Sequence, residues 1–294
     1  MNVPFFSVIM PVYNRSLFID NSINSVLRQD FIDFELICVD DMSIDSSVEI
    51  IEKFMKQDAR VKIVRHPENL GRCAARNSGI QNASTKWVCF LDSDDLYLPN
   101  HLTVLRRLIS SFPEYDAFAT SIKSDAENVH KESGKIKEKI SIVRLKDVIA
   151  SNILPPNVLC YNKEKIKTTF GDENIPVSED WLFSRNLLLE TDFVKTNIKT
   201  TIITEHEQRT MNTQSINEIV YWNEYTGLRF STHPKLTKKI SDSVKSFTYI
   251  LCANMLISNG NKKNSLPLFK KSLRFSKTFQ NMLFYKYLLK YLLK

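Results

Sequence analysis

In the first 120 residues, short apolar runs alternate with segments whose apolar residues recur every three to four positions, and nothing else in the chain restricts the fold so tightly. The runs at 5–10, 34–39, 61–65, 87–91 and 116–120 are continuous stretches of the kind found in strands buried on both faces. Between them, Ile19, Ile23, Val26 and Leu27 form one helical stripe, and Val48, Ile51 and Met55 form another. Leu102, Leu105, Leu108 and Phe112 form a third. Ser46-x-x-Glu49 reads as a capping box for the second helix, and Pro99 suits the first turn of the third. Strand–helix alternation of this kind predicts an α/β fold: a mostly parallel sheet flanked by helices.

Beyond residue 120 the pattern loosens. Residues 122–157 are polar and charged, with a short helix expected near 145–150. Strands are expected at 158–161 and 194–204, with a helix from about 179 to 190 between them, and the chain reads as helical from about residue 213. The expected division is a catalytic-type α/β domain over 1–212, with halves of about 1–120 and 121–212, followed by a basic helical extension over 213–294. No internal repeat or low-complexity tract interrupts it.

Charge is divided the same way. Of a net +7, residues 235–294 hold 13 Lys/Arg against a single acid, Asp242, whereas residues 1–234 carry a net −5. A basic tail on an acidic body predicts an anionic partner surface for the tail. The five cysteines (Cys38, Cys73, Cys89, Cys160 and Cys252) have no CxxC spacing, which argues against a zinc site and for reduced thiols. The first residues lack a basic signal-peptide region, and no run reaches the roughly 18–20 apolar residues of a membrane span. A cytoplasmic location is expected.

Ligands of open parallel sheets bind at the carboxyl ends of the strands. Three polar clusters fall there: Pro11-Val12-Tyr13-Asn14, Asp40-Asp41-Met42-Ser43 and Asp92-Ser93-Asp94-Asp95. In Asp92-Ser93-Asp94, two carboxylates one residue apart on extended backbone point to one side. That suits Mg²⁺ or Mn²⁺, which favour carboxylate oxygens completed by water and phosphate. Each cluster also has a purely structural reading. Asp40, Asp41 or Asp95 could cap a helix, Tyr13 could be a core-edge aromatic, and Arg72 and Arg76 could form structural ion pairs.

Five segments, SVIMPVYNR, FELICVDDMSID, ENLGRCAARNSGI, WVCFLDSDD and SEDWLF, together resemble glycosyltransferase family 2, the inverting enzymes of GT-A (Rossmann-like) fold, over roughly residues 5–210. The resemblance implies that residues 1–120 form the nucleotide-sugar half and 121–212 the acceptor half. It implies that Pro11 and Tyr13 border the nucleobase, that Asp41 accepts a hydrogen bond from it, and that Arg72 also contacts the nucleotide. The Asp41 hydrogen bond favours uracil or thymine over guanine, and a UDP-sugar is the expected donor. Asp92 would hold the ribose and Asp94 a Mn²⁺ or Mg²⁺ ion bridging the diphosphate. Asp180 in Ser178-Glu179-Asp180-Trp181 would be the general base, because inversion needs a carboxylate to remove the acceptor hydroxyl proton. His206 is the candidate further metal ligand, and Arg209 could neutralise phosphate charge. Acidic residues at a helix start are favoured by the macrodipole without any catalytic role, which is the structural alternative for Glu179 and Asp180.

The acceptor implied is a glycan or lipid-linked glycan of bacterial polysaccharide type. Lys286, Lys290 and Lys294 recur along one helical face among Leu and Tyr, so residues 279–294 are expected to lie peripherally on anionic membrane at the cytoplasmic face. Packing of the Leu and Tyr side chains on the protein is the alternative. No nucleic-acid-binding module is recognisable. Two other classes remain: a nucleotidyltransferase making the nucleotide-sugar, disfavoured because PVYNRS lacks glycine, and a non-catalytic glycan- or membrane-binding protein.

Overall fold

The computed structural model describes residues 4–124, 137–149, 154–171, 175–209, 213–275 and 282–293. Its backbone divides into two compact units. The first comprises residues 1–144, 154–174 and 190–205; the second comprises 145–153, 175–189 and 206–294.

The first unit is built on a nine-stranded sheet: β1 (Phe6–Val12), β2 (Phe34–Asp40), β3 (Val61–Arg65), β4 (Trp87–Phe90), β5 (Leu96–Tyr97), β6 (Ala117–Ser124), β7 (Ile140–Val143), β8 (Leu159–Asn162) and β9 (Phe193–Ile203). The order is β3-β2-β1-β4-β8-β6-β9-β5, with β7 paired to β9 outside this path. Strands β3, β2, β1 and β4 run parallel. Strand β8 enters antiparallel between β4 and β6, while β6 and β9 are again parallel. The four parallel strands are four of the five runs that read as continuous and apolar; the fifth, at 116–120, forms β6. Strand β7, Ile-Ser-Ile-Val, lies in the stretch expected to be a polar excursion; it is only four residues long and its first two residues are exposed.

Helices α1 (Ile19–Leu27), α2 (Ser47–Gln57), α3 (Arg72–Asn82) and α4 (His101–Ser111) belong to this unit. Ile19, Ile23 and Val26 of α1 and Leu102, Leu105 and Leu108 of α4 join one core with Phe6, Val8, Leu36 and Cys89. In α2 the inward residues are Val48, Ile51 and Phe54, whereas Met55 is exposed, so the stripe turns one residue earlier than expected. The capping box at Ser46 does not form: Ser46 makes no side-chain cap bond, and Asp45 instead accepts from the Ser47 amide at 3.0 Å. Pro99 precedes the N-cap Asn100 of α4 rather than lying in its first turn. Asp95 caps no helix; it is buried and holds loops together, as described below.

The second unit holds α5 (Leu145–Val148), α6 (Glu179–Leu187), α7 (Ile216–Ser231), α8 (Lys238–Ser258), α9 (Lys262–Ser272) and α10 (Met282–Leu293). A full capping box does form at α7, between Ser215 and Glu218. Ile250, Cys252, Ala253, Leu256 and Ile257 of α8 pack with Leu268 and Phe269 of α9 and with Phe284 and Tyr287 of α10. Ile175, Leu182, Phe230 and Val244 form a second cluster around α6. By backbone contacts α6 thus groups with the helices after residue 213, whereas the sequence placed it in the α/β domain. All five cysteines are free and buried. Among the described residues no helix is long and apolar enough to cross a membrane.

Candidate active site

Because β2, β1 and β4 are neighbours in parallel register, their carboxyl ends deliver the three polar clusters to one edge of the sheet. Two loops are laced together there. The Asp41 amide donates to the Val12 carbonyl at 2.8 Å, Asn14 N to Ser43 Oγ at 3.0 Å, and Ile44 N to Asn14 Oδ1 at 2.9 Å. Arg15 N donates to Ser47 Oγ and Ser16 N to Asp45 Oδ2, at 2.8 and 2.9 Å. Asn14 and Met42 reverse the chain at φ 52° and 65°, in the left-handed region that Asn tolerates best among non-glycine residues. Beside Pro11, Tyr13 stands 45% exposed, so it is an open aromatic face rather than a core-edge residue.

Asp41 is buried, and its carboxylate is held from three directions. It accepts from His66 Nδ1 at 2.8 Å, Leu70 N at 2.9 Å and Gly71 N at 2.7 Å. His66 Nε2 in turn meets Ser78 Oγ at 2.8 Å. Since a carboxylate only accepts, Nδ1 is the donor to Asp41. Gly71 is the N-cap of α3 at φ 89° and ψ 163°, a conformation essentially restricted to glycine. Two of these three bonds fall on Oδ1, so Oδ2 retains capacity for another donor. His66 showed no supporting pattern in the sequence; its role becomes visible only when β3 places it beside β2.

The Asp92-Ser93-Asp94 turn is fixed by groups distant in sequence. Ser22 Oγ of α1 donates to the Ser93 carbonyl at 2.9 Å, and the Asp92 amide donates to Asn157 Oδ1 at 3.0 Å. Asn157 also donates through Nδ2 to Asp95 Oδ2, and Asp95 Oδ1 accepts from Thr204 N at 2.9 Å. Asn157 and Asp95 are the positioning residues that sequence reasoning missed; the only local signal for Asn157 was the Pro155-Pro156 turn before it.

Guanidiniums set the charge balance. Arg76 Nη2, nearly inaccessible and lying over the Phe170 ring, donates to Asp92 Oδ1 at 2.7 Å. Burial pushes the Asp92 carboxyl upward, but the charges of Arg76 and Arg72 and the Arg76 hydrogen bond prevail, and its pKa lies below the usual 3.8. Arg72 opens α3. Asp94 pairs with Arg15 Nε at 3.3 Å.

Among the described residues no three His, Cys, Asp or Glu side chains form a cage for a metal. The Asp94 carboxylate at an ordered strand end offers oxygen donors of the kind a hard cation takes, the remaining ligands coming from phosphate and water, provided that the Arg15 guanidinium now paired with it gives way. The donor set fits Mg²⁺ or Mn²⁺ in that manner.

Asp180 and His206 belong to the second unit. Asp180 is the second residue of α6, and its Oδ1 accepts from the Trp181 amide at 2.9 Å. The N-cap Ser178 has φ 64°, a strained conformation for serine at the head of this helix. Glu179 is buried. Arg185 lies over the Trp181 and Phe230 rings and donates to the Ile149 carbonyl at 3.2 Å. Burial lowers its pKa to about 10, against the opposing charge of Asp180. His206 follows β9, and its carbonyl accepts from the Arg209 amide at 3.3 Å. The structure thus brings Pro11, Tyr13, Asp41, Arg72, Asp92 and Asp94 to one end of the first unit, and sets Asp180 and His206 in the second.

A model of proteins described as glycosyl transferase family 2 matches residues 7–190. An uncharacterized glycosyltransferase of Haemophilus influenzae is 46% identical over 95 residues, which are 32% of this chain and 38% of that protein. The GalNAc(5)-diNAcBac-PP-undecaprenol beta-1,3-glucosyltransferase of Campylobacter jejuni is 33% identical over 193 residues, 65% of this chain and 62% of that one. The matches therefore span less than two thirds of either relative's length. Among solved structures, S. aureus TarS 1–349 in complex with UDP-GlcNAc superposes with a TM-score of 0.69 at 23% identity, covering 92% of this chain and 79% of that chain. That likeness gives the fold, GT-A, with a helical C-terminal part. With the family model matching well over half its length, the chain belongs to glycosyltransferase family 2.

Proposed function

We propose that the chain is an inverting hexosyltransferase that moves a sugar from a UDP-sugar to a hydroxyl of a glycan or lipid-linked glycan. The observation that carries this reading is the immobilised Asp92-Ser93-Asp94 turn, its carboxylates matched by Arg76 and Arg15, at the sheet edge that also bears the open Tyr13 ring and Asp41. The UDP-GlcNAc bound by S. aureus TarS and the undecaprenol-linked substrate in the name of the C. jejuni relative support the donor and acceptor classes.

In this reading Tyr13 stacks on uracil beside Pro11. Asp41 Oδ2 accepts the base N–H, with Oδ1 held by His66 and Leu70. Arg72 contacts the nucleotide and Asp92 holds the ribose. Asp94 holds the divalent cation, with His206 as the candidate additional ligand; when bound, that cation supplies Lewis-acid stabilisation of the departing diphosphate. Asp180 removes the acceptor hydroxyl proton as the oxygen attacks the anomeric carbon, and the electrons of the breaking carbon–oxygen bond leave with UDP. Attack opposite the leaving group inverts the configuration.

Peripheral contact with anionic lipid is part of the proposal, carried by α10 at the cytoplasmic face. Phe284 and Tyr287 of that helix are buried, while Tyr285, Lys286 and Leu289 face outward. Residues 279–281 and 294 of the expected contact segment lie outside the described residues.

The test is thermal-shift screening with UDP-, dTDP- and GDP-sugars, each with and without Mn²⁺, beside turnover of Asp180→Asn. UDP-sugars are expected to stabilise the protein most, and only with Mn²⁺. Asp180→Asn should keep this stabilisation while transfer falls by about 10²–10⁴-fold. Stabilisation by GDP-sugars alone would replace the donor, and undiminished turnover in Asp180→Asn would remove Asp180 as base.

A further inference from the structure

Arg15 connects two parts of the site that the proposed reading treats separately. Its amide is fixed by Ser47 Oγ at 2.8 Å, and its carbonyl accepts from Phe18 N and Ile19 N, both at 2.9 Å, at the start of α1. Nη1 donates back to the carbonyls of Tyr13 and Asn14, at 3.4 and 3.1 Å. Nε reaches Asp94 Oδ2 at 3.3 Å, with side-chain exposures of only 22% for Arg15 and 16% for Asp94. One guanidinium therefore ties the backbone under the aromatic shelf to the carboxylate assigned to the cation.

The Arg15 guanidinium held against Asp94 is an obstacle to a second cation there. A divalent ion arriving alone must compete with the guanidinium for the carboxylate and then lie beside that positive charge. A nucleoside diphosphate changes both terms. It supplies phosphate oxygens to the ion and negative charge to the displaced guanidinium. We propose that Arg15 is a resident counter-ion of Asp94 that yields the carboxylate only when cation and diphosphate arrive together, making the binding of each depend on the other. This rests on the reading of Asp94 as the cation ligand. By linkage, whatever factor UDP adds to Mn²⁺ affinity, Mn²⁺ adds to UDP affinity.

The experiment measures Mn²⁺ binding by calorimetry and by the electron paramagnetic resonance of free Mn²⁺, with and without UDP, in the parent protein, Arg15→Gln and Asp94→Asn. Arg15→Gln is expected to bind Mn²⁺ alone about fivefold more tightly, the size of one partly exposed ion pair. Its enhancement by UDP should shrink by at least the same factor. Tighter binding cannot arise from damaged folding, so a merely structural role for Arg15 would not produce it. Unchanged or weaker Mn²⁺ affinity in Arg15→Gln, with Asp94→Asn abolishing binding, would overturn the counter-ion while leaving Asp94 as ligand. Unchanged Mn²⁺ binding in Asp94→Asn would overturn both.

Discussion

Glu35 shows how much one side chain can hold at the end of the sheet opposite the site. It is buried at the start of β2, where Oε1 accepts from Ser7 Oγ at 2.5 Å and from the amide and hydroxyl of Ser84 at 2.7 and 2.8 Å. Oε2 pairs with Lys62 Nζ at 2.6 Å. Burial pushes the carboxyl up, but Lys62, Ser7 and Ser84 together outweigh it, and the pKa falls below its ordinary 4.5. A carboxylate depressed in this way stabilises the fold fully above pH 4.5, and that contribution is lost as pH drops through the lower folded-state value. Glu35→Gln is expected to cost about 2 kcal/mol at pH 7 by urea unfolding. The gap to the parent protein should narrow at acid pH; a gap independent of pH would show a carboxyl already neutral in the fold. Two serines and a lysine this far apart in sequence give no hint of such a convergence. The same holds for His66 behind Asp41 and Asn157 behind Asp92. The residues proposed to meet the donor cluster at strand ends, where sequence reading places them, whereas their supports are assembled only by the fold.

Among the elements, α3 is held close to the sheet. It packs on β1 so closely that a Cβ on Gly79 would stand 2.2 Å from Ile9 Cγ2. Gly79→Ala is expected to destabilise by about 1–3 kcal/mol through overpacking. The double variant with Ile9→Ala should cost less than the sum of the two, and strict additivity in urea unfolding would disprove the contact. Helix α3 also explains the limits of pattern reading. Strands β1, β2 and β4 were legible because burial on both faces favours runs of Val, Ile, Leu, Phe and Cys, and β3, half exposed, still keeps Val61, Ile63 and Val64. Helix α3 has a polar, small-residue sequence, RCAARNSGIQN, and offered no stripe; its place is set by Gly71, Gly79 and the Asp41 carboxylate. The antiparallel entry of β8 between β4 and β6 was not legible either, since Leu159–Asn162 carries no mark of strand direction.

At the scale of the molecule, α10 is packed into its own unit and is also the helix proposed to meet lipid. Phe269 stacks on Tyr287 with ring centroids 4.2 Å apart, and Ser265 Oγ meets the Tyr287 hydroxyl at 3.1 Å, so the helix is part of the core of the second unit. Deleting it would confound lipid binding with unfolding. Outward substitutions avoid that. Tyr285 and Leu289, each 60% exposed, flank Lys286 and are expected to contact lipid. The triple variant Tyr285→Ser, Lys286→Glu, Leu289→Ser should keep its melting temperature and lose flotation with phosphatidylglycerol vesicles, since each lysine near an anionic leaflet contributes about 1 kcal/mol. Undiminished flotation would place the lipid contact elsewhere.

The sheet order also bears on how the chain matures. The ladder β3-β2-β1-β4 is complete by residue 90, yet the far side of β4 waits for β8, which begins at Leu159. During synthesis the apolar segment Trp-Val-Cys-Phe therefore presents an unsatisfied edge while some seventy further residues emerge. A nascent chain stalled in that interval would expose an invitation to strand pairing with its neighbours, and arrival of β8 withdraws it.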